Sequence, residues 1–449
     1  MGSTSHLAAR ATATQIITCL GFRTNRFVLD TGQERFQEQD TFSRVAERVA
    51  LATRCCSMGK RGTVAVPSFD TSDHVPIAEA VYVDETGPPR NGSNHRDLLD
   101  SFPELPEGLA RAFMDASERA PLRYWIVDNS GSMMTNDGQQ RVRAARGRPC
   151  FVRCTRWHEL RETVLFHADL ARRAGTRAEF TLLNAVRRER RAVRDFAVGG
   201  GDGAESESEL AFARDVMSAE PSGGTPLCAA IRAVARRVAS RAAELRARGE
   251  VAVVVIASDG QASDGDVRDA LRALAALPVW CVVRLCTDDG AVVRYWNAVD
   301  ADLEMPLEVL DDWRGEAAEV RATQGGWLSY GEPLHRLREW GAPHAKLFDL
   351  LDERRLAPGE AAELARLVLG GAPLPHPEAD PALFLAEVKA RAALAPLVFD
   401  PVTKRTGPWI DARALGRACR GTRAPSTPIA LAVVLFAVWA LYAGGVVRI

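Results

Sequence analysis

The chain has 449 residues, a formal net charge of −1 and a hydrophobic fraction of 47%. Such a length provides for two or three domains, and such a balance excludes collagenous, low-complexity and highly charged disordered chains. A charge near zero also removes bulk electrostatic attraction to nucleic acid, although Arg greatly outnumbers Lys. The 9 cysteines, an odd number, are scattered without a repeating framework and point to a reducing compartment.

Residues 1–97 read as an N-terminal region that is partly disordered linker. From Met1 to Leu29 there is no acidic residue, while Arg10, Arg23 and Arg26 are present. That composition suits either a plain N-terminus, the preferred reading, or an organelle transit peptide. Phe42–Ala52 has a helical look, and Gly59–Asn94 is rich in turn residues, with room for short strands at Val64–Val66 and Ala80–Val83. Asn91-Gly92-Ser93 is a glycosylation triplet that matters only in a secretory lumen. Residues 98–119 supply a lead-in helix.

Between residues 120 and 322, strand and helix patterns alternate. Leu122–Val127, Ala178–Asn184, Val251–Ala257 and Val279–Cys286 read as strands, two of them Val/Ile-rich runs of the kind that burial on both faces requires. Arg191–Val198 adds an edge strand. Trp157–Arg173, Glu207–Ser218, Pro226–Arg248 and Asp264–Leu277 read as helices, and Asp312–Ala322 closes the module. This alternation predicts an α/β fold, a doubly wound and mostly parallel sheet flanked by helices. Cys150, Cys154 and His158 lack a fourth partner at zinc-site spacing, so free thiols are preferred. The basic run Arg187, Arg188, Arg190, Arg191 and Arg194 is interrupted by Glu189 and Asp195 and reads as a solvated edge, with no nucleic-acid motif beside it.

Residues 323–421 are expected to form a small helical region from Leu334–Trp340, Lys346–Leu356, Glu360–Leu369 and Pro381–Leu394, with Leu415 on a last short helix. Trp327, Trp340 and Trp409 belong to its core. Residues 426–447 carry no charge over a length sufficient for one transmembrane helix. Arg413, Arg417, Arg420 and Arg423 precede them, which by the positive-inside rule places the bulk of the chain in the cytosol. The expectation is a single-pass, tail-anchored membrane protein.

The residues that carry chemistry lie at strand ends. Asp128-Asn129-Ser130-Gly131-Ser132 follows the first strand, Thr225 lies within Ser222-Gly223-Gly224-Thr225-Pro226, and Ser258-Asp259-Gly260 follows the Val251–Ala257 strand. A carboxylate and two hydroxyls at alternate positions offer hard oxygen ligands suited to Mg²⁺. In open parallel sheets, ligands gather beyond the carboxyl ends of the strands. Asp264, Asp266, Asp288 and Asp289 lie near the same rim, where one of them could tune or shield an ion; the preferred reading makes Asp264 a first-turn acid of the next helix and Asp288 and Asp289 turn formers.

This pattern resembles the metal-ion-dependent adhesion site of the von Willebrand factor type A family: an Asp-x-Ser-x-Ser loop, a distant Thr, and an Asp-Gly after a hydrophobic strand. Two departures are Ser258, where the family often has Thr, and an acidic, glycine-rich insert at Gly199–Glu209. The resemblance implies that Ser130 and Ser132 ligate a metal through their hydroxyls, with Asp128, Thr225 and Asp259 reaching it directly or through water. The metal would be Mg²⁺, with Mn²⁺ or Ca²⁺ as substitutes. Three neutral hydroxyls and two carboxylates leave much of the ion's charge uncompensated and one position open for an Asp or Glu of a protein partner.

The expected function is therefore a membrane-anchored protein-binding module and not an enzyme. Two alternatives come from other classes. A metal-dependent, phosphatase-like hydrolase would use Asp128 as nucleophile, but Ser130 stands where a second acid is usual. Ser329 fails as a hydrolase nucleophile, because Trp327 replaces the Gly of the nucleophile elbow. The third reading is a membrane scaffold that docks without metal.

Overall fold

A computed structural model of the chain describes residues 92–143, 149–201, 203–287, 289–303, 305–342 and 345–421. All of them belong to the part of the chain that follows residue 86. The features expected at residues 1–91, including Asn91, lie outside the described residues, as do Asp288 and residues 426–447.

The lead-in segment is two helices, α1 (Gly92–Ser101) and α2 (Glu107–Arg119). Pro103 and Pro106 break the helix expected across it, since neither supplies an amide donor. Strand β1 (Leu122–Val127) is buried along its whole length. A 3₁₀ turn (Gly131–Met134) and an antiparallel hairpin of β2 (Gly138–Arg143) and β3 (Pro149–Cys154) follow it. Helix α3 (Arg156–Ala174) starts at Thr155, whose side chain accepts the amide of His158, and stops at Gly175 in the left-handed conformation.

Next come β4 (Arg177–Arg188), β5 (Arg191–Val198), α4 (Gly203–Met217), α5 (Leu227–Arg248), β6 (Ala252–Ser258), α6 (Val267–Ala275), β7 (Val279–Leu285), α7 (Gly290–Asp302), β8 (Leu307–Leu310) and α8 (Trp313–Gln324). The sheet has the order β5-β4-β1-β6-β7-β8, with every neighbouring pair parallel except β4–β5. From β1 the chain first builds outward through β4 and β5, then returns to the other side of β1 through β6. The order therefore reverses between β1 and β6, the place where doubly wound sheets open a crevice.

Alternate residues of β1 enter different layers. Trp125 and Val127 pack with Val253, Val255, Leu109, Phe113, Leu160 and Val164, whereas Tyr124 and Ile126 pack with Val254, Ile256, Ile231, Val234, Leu271 and Trp296. Both faces are thus sealed by helices, as the apolar runs of β6 and β7 require.

The segment after residue 322 shares the first of these cores. It comprises α9 (Glu332–Glu339), α10 (Ala345–Glu353), α11 (Pro358–Leu369), α12 (Pro381–Leu394), the antiparallel pair β9 (Val398–Asp400) and β10 (Arg405–Gly407), and α13 (Ala412–Gly421). Trp327, Trp340 and Trp409 are buried within it. Buried guanidinium groups tie it to the sheet. Arg123 of β1 donates to the carbonyls of Ala116 (3.0 Å), Ala120 (2.5 Å) and Trp340 (3.1 Å). Arg284 of β7 pairs with Glu159 and, at 3.4 Å, with Glu339, and Arg338 joins Glu308 (2.7 Å) to Glu316 (2.6 Å).

The expected architecture needs one correction. Among the described residues no helix is long and apolar enough to cross a membrane, so the fold is α/β with an added helical and two-stranded region and contains no spanning helix. The reason is visible in the longest helix, α5, which buries Ile231, Val234 and Val238 but carries Arg232, Arg236, Arg237 and Arg241 on its other faces. Residues 426–447, where the span was expected, lie outside the described residues.

His167 of α3 lies fully buried against Trp125 and Trp340, at centroid distances of 4.7 and 5.7 Å, and donates through Nε2 to Glu339 at 2.9 Å. Burial pushes its pKa down to about 4, against the opposing pull of Glu339. The unfolded chain takes up this proton near pH 6.5, so the contribution is fully present above that pH and is lost as pH falls toward 4, amounting to about 3 kcal/mol. Urea unfolding of wild type should therefore show stability falling more steeply between pH 6.5 and 4.5 than His167→Gln does, and equal slopes would refute the assignment.

Candidate functional site

The crevice between β1 and β6 holds four of the five expected residues. Asp128 continues the strand ladder, its amide donating to Ala257 at 2.9 Å, and its carboxylate is fully buried. Oδ1 accepts the amide of Ser130 at 2.8 Å, and Oδ2 accepts the hydroxyl of Ser258 at 2.6 Å. Burial raises the pKa of Asp128, as does the nearby charge of Asp259, while the hydrogen bonds from Ser130 and Ser258 oppose the shift. A group in that state gains from an added cation.

From Asp128 the loop turns so that Ser130 Oγ and Ser132 Oγ lie 3.0 Å apart, and Ser132 Oγ donates to Asp259 Oδ1 at 2.9 Å. Met133 is buried behind the 3₁₀ turn and pins it, while Ser132 is exposed. The spacing bears on metal binding. Adjacent ligands of an octahedral Mg²⁺, each at about 2.0–2.1 Å from the ion, are separated by about 2.9–3.0 Å. The two edges Ser130–Ser132 and Ser132–Asp259 match that separation, so these oxygens fit as neighbouring ligands of one ion. Among the described residues no group of three or more His, Cys, Asp or Glu side chains could hold a metal, so an ion here would depend on hydroxyls beside two carboxylates.

Thr225 is the residue not drawn into this chain of contacts. Its loop is docked on the first one, with Gly131 donating to the Gly223 carbonyl at 3.0 Å and Ser222 to the Asn129 carbonyl at 2.8 Å. The backbone of Thr225 exchanges hydrogen bonds with Ser263, but its hydroxyl bonds to none of the other four residues. It stands immediately before α5 at the rim.

Several residues that organise the site carry no motif. Asn129 and Asn184 of β4 bind reciprocally, Asn129 Nδ2 to the Asn184 carbonyl at 2.8 Å and the Asn184 amide to Asn129 Oδ1 at 2.7 Å. Asn184 Nδ2 also donates to the Gly224 carbonyl at 2.8 Å, so one residue links the first two loops, through its backbone on one side and its side chain on the other. Arg156 at the start of α3 donates to Asp259 Oδ2 at 2.9 Å and grips both oxygens of Asp137 at 2.7 and 2.5 Å. Its pKa is raised, first by the Asp137 hydrogen bonds. Asp259 thus shows one oxygen to Ser132 and the other to a permanent cation, which fixes its orientation.

The other rim acids among the described residues, Asp264, Asp266 and Asp289, are used as helix caps. Asp264 accepts the amides of Cys228 and Ala229 and so caps α5, not the helix that follows it; Asp266 caps α6 and Asp289 caps α7. Cys150 and Cys154 are free and half-buried on β3. A cavity of about 320 Å³ between α12 and α13, lined by Phe384, Leu385 and Cys419, contains none of the rim residues.

Comparison of the chain with models of known protein families and with curated proteins finds no match. The functional reading therefore rests on the geometry of the rim alone.

Gly223 marks how tightly the loops interlock. Its φ is +91°, and a Cβ there would lie 2.6 Å from Asn184 Oδ1. Gly223→Ala should cost about 1–2 kcal/mol from the left-handed backbone alone, with a further loss from displacing Asn184. Thermal unfolding that shows no drop in midpoint would mean that the loops are not held in this way.

Proposed function

We propose that this rim is a divalent-cation site, of the kind found in von Willebrand factor type A domains, through which the protein grips an Asp or Glu side chain of a partner protein. One observation carries the reading. Ser130 Oγ, Ser132 Oγ and Asp259 Oδ1 form a continuous run of oxygens at 3.0 and 2.9 Å, beside the buried Asp128, at the point where the strand order reverses. Mg²⁺ is the ion this donor set suits best, with Mn²⁺ or Ca²⁺ as substitutes, because all its members are hard oxygens.

Ser130, Ser132 and Asp259 would hold the ion, Asp128 would balance it from within, and Thr225 would come to it from the adjoining loop. A bound ion would supply a concentrated positive charge at a rim where Ser132 is exposed to solvent. The residues themselves orient that charge: Ser258 and the Ser130 amide fix Asp128, and Arg156 fixes Asp259. Two carboxylates and neutral hydroxyls leave it short of neutralisation, so an outside carboxylate is attracted.

Binding is favoured over hydrolysis. Asp128, the one candidate nucleophile, is fully buried and both of its oxygens accept hydrogen bonds. A carboxylate so enclosed cannot approach a phosphorus or carbonyl centre. A scaffold that docks without metal is the reading left if no ion binds.

Calorimetric titration of the full chain with Mg²⁺ should show a single binding event. Asp128→Ala should abolish it and Ser132→Ala should weaken it about tenfold, since a direct ligand is lost. At an Mg²⁺ concentration about 100-fold above its Kd, the wild-type protein should gain about 2.7 kcal/mol of stability. Equal heats from wild type and Asp128→Ala would end the metal assignment.

A further inference from the structure

The β4–β5 hairpin rises beside this rim. Strand β1 ends at Val127, which pairs with Leu182, yet β4 continues for six residues to Arg188 and then turns back into β5. Because Asp128 follows Val127 directly, the extension from Leu183 onward flanks the Asp128–Ser132 loop, and Asn184 bonds to it. Arg187 lies three residues further, about 10 Å along the strand.

The five arginines from Arg187 to Arg194 divide by what they do. Arg188 donates to the Asp215 carbonyl and to Ser218 and so holds the hairpin to the body, whereas Arg194 donates to the Leu182 carbonyl of β4 and so ties the two strands of the hairpin together. Arg187, Arg190 and Arg191 are exposed, and among the described residues their guanidinium groups have no carboxylate partner. The turn itself gives a second indication. Arg188 pairs with Arg191, which leaves the two-residue loop Glu189-Arg190, and both residues have positive φ, +53° and +125°. Asn-Gly is favoured in such a turn, and long side chains there strain the backbone. The sequence keeps an arginine at the tip at the expense of local stability.

We propose that Arg187, Arg190 and Arg191 form a basic subsite next to the cation, so that the occupant of the rim is a short acidic segment of a partner protein, one carboxylate on the ion and its neighbours on the hairpin. The inference rests on the metal reading above and goes beyond it by specifying the residues that flank the metal-bound carboxylate. A single Asp or Glu satisfies the ion alone, whereas a run of acids satisfies both places. Charge also limits the length of the occupant. Glu189 sits at the tip among the three arginines, and Asp195 follows on β5. The basic surface is therefore short and interrupted, which suits a segment of a few acidic residues and not a long polyanion such as a nucleic acid.

The test uses the full chain and two labelled peptides of about a dozen residues, one with an Asp flanked by Glu residues and one with the same Asp flanked by Ser and Gly. Anisotropy is read with and without Mg²⁺, in wild type, in the combined Arg187→Gln, Arg190→Gln, Arg191→Gln variant, and in a Glu189→Asn, Arg190→Gly variant that supplies the favoured turn. In Mg²⁺, wild type should bind the Glu-flanked peptide about tenfold more tightly than the Ser/Gly-flanked one, three exposed charge pairs each contributing modestly. The triple variant should lose that preference while keeping its affinity for the Ser/Gly-flanked peptide and for Mg²⁺. The turn variant should unfold at higher temperature yet lose part of the preference, and salt should shrink the preference in wild type. Mg²⁺-dependent binding that ignores the arginine substitutions would overturn the subsite and leave the metal reading standing. Arginine-dependent binding that is indifferent to Mg²⁺ and to Asp128→Ala would overturn both. A single-stranded oligonucleotide that outcompetes the Glu-flanked peptide would overturn the assignment of a protein partner.

Discussion

A guanidinium sealed away from water has to find oxygen, and Arg123 at the centre of the sheet is such a group. Among the described residues it meets no carboxylate. Its three acceptors are backbone carbonyls, two at the end of α2 and one at the end of α9, with the Trp340 ring 3.6 Å from the guanidinium carbon. Helix C-termini present unsatisfied carbonyls and the negative end of the helix dipole, so the two helices serve as the counter-charge. Burial lowers the pKa of Arg123 well below its ordinary value, a measure of how much those carbonyls must offset. One strand residue therefore requires an element preceding the sheet and an element following it to end at the same place. The region after residue 322 is in this sense part of the helical layer on one face of the sheet.

The same layer reaches the rim through α3. Arg156 at its first position holds Asp259, Glu159 one turn later holds Arg284, and His167 near its middle holds Glu339 of α9. Arg284 contacts Glu159 and Glu339 together, so β7, α3 and α9 meet in one buried network. Removing one member of such a network leaves an uncompensated charge, which is costlier than exchanging the whole for apolar groups. The orientation of Asp259 is accordingly set by the packing of an entire helix and not by its own loop alone.

What could be read from sequence divides by the range of the forces involved. The strands at Leu122–Val127 and Arg191–Val198 coincide with their expected bounds, and β6, α3 and α5 lie within a residue or two of theirs, because apolar runs and helix-end residues act locally: Pro226 precedes α5 and Gly249, left-handed, ends it. The hairpin of β2 and β3 gave no such signal, since Gly138–Arg143 alternates no apolar residues and remains half-buried. Helix α7 escaped notice because its Val292, Val293 and Tyr295 suit a strand as well as a helix, and β8 has four residues. At the site, the three motif loops were legible at strand ends, and four of their five residues do converge. Arg156, Asp137 and Asn184 were not legible. They act through contacts across 103, 19 and 55 positions of sequence, and no periodicity records a long-range pair.

The placement of charge on the outer strands has a bearing on solubility. A sheet that is not closed offers a row of free amides and carbonyls at each margin, a template on which another copy could polymerise. At one margin β5 carries Arg191, Arg194 and Asp195, charged side chains that an approaching strand would have to strip of water. At the opposite margin β8 offers four residues, and Glu308 turns inward to Arg338. Short length and an inward charge are both features that discourage lateral growth, so the fold guards each open side by a different device.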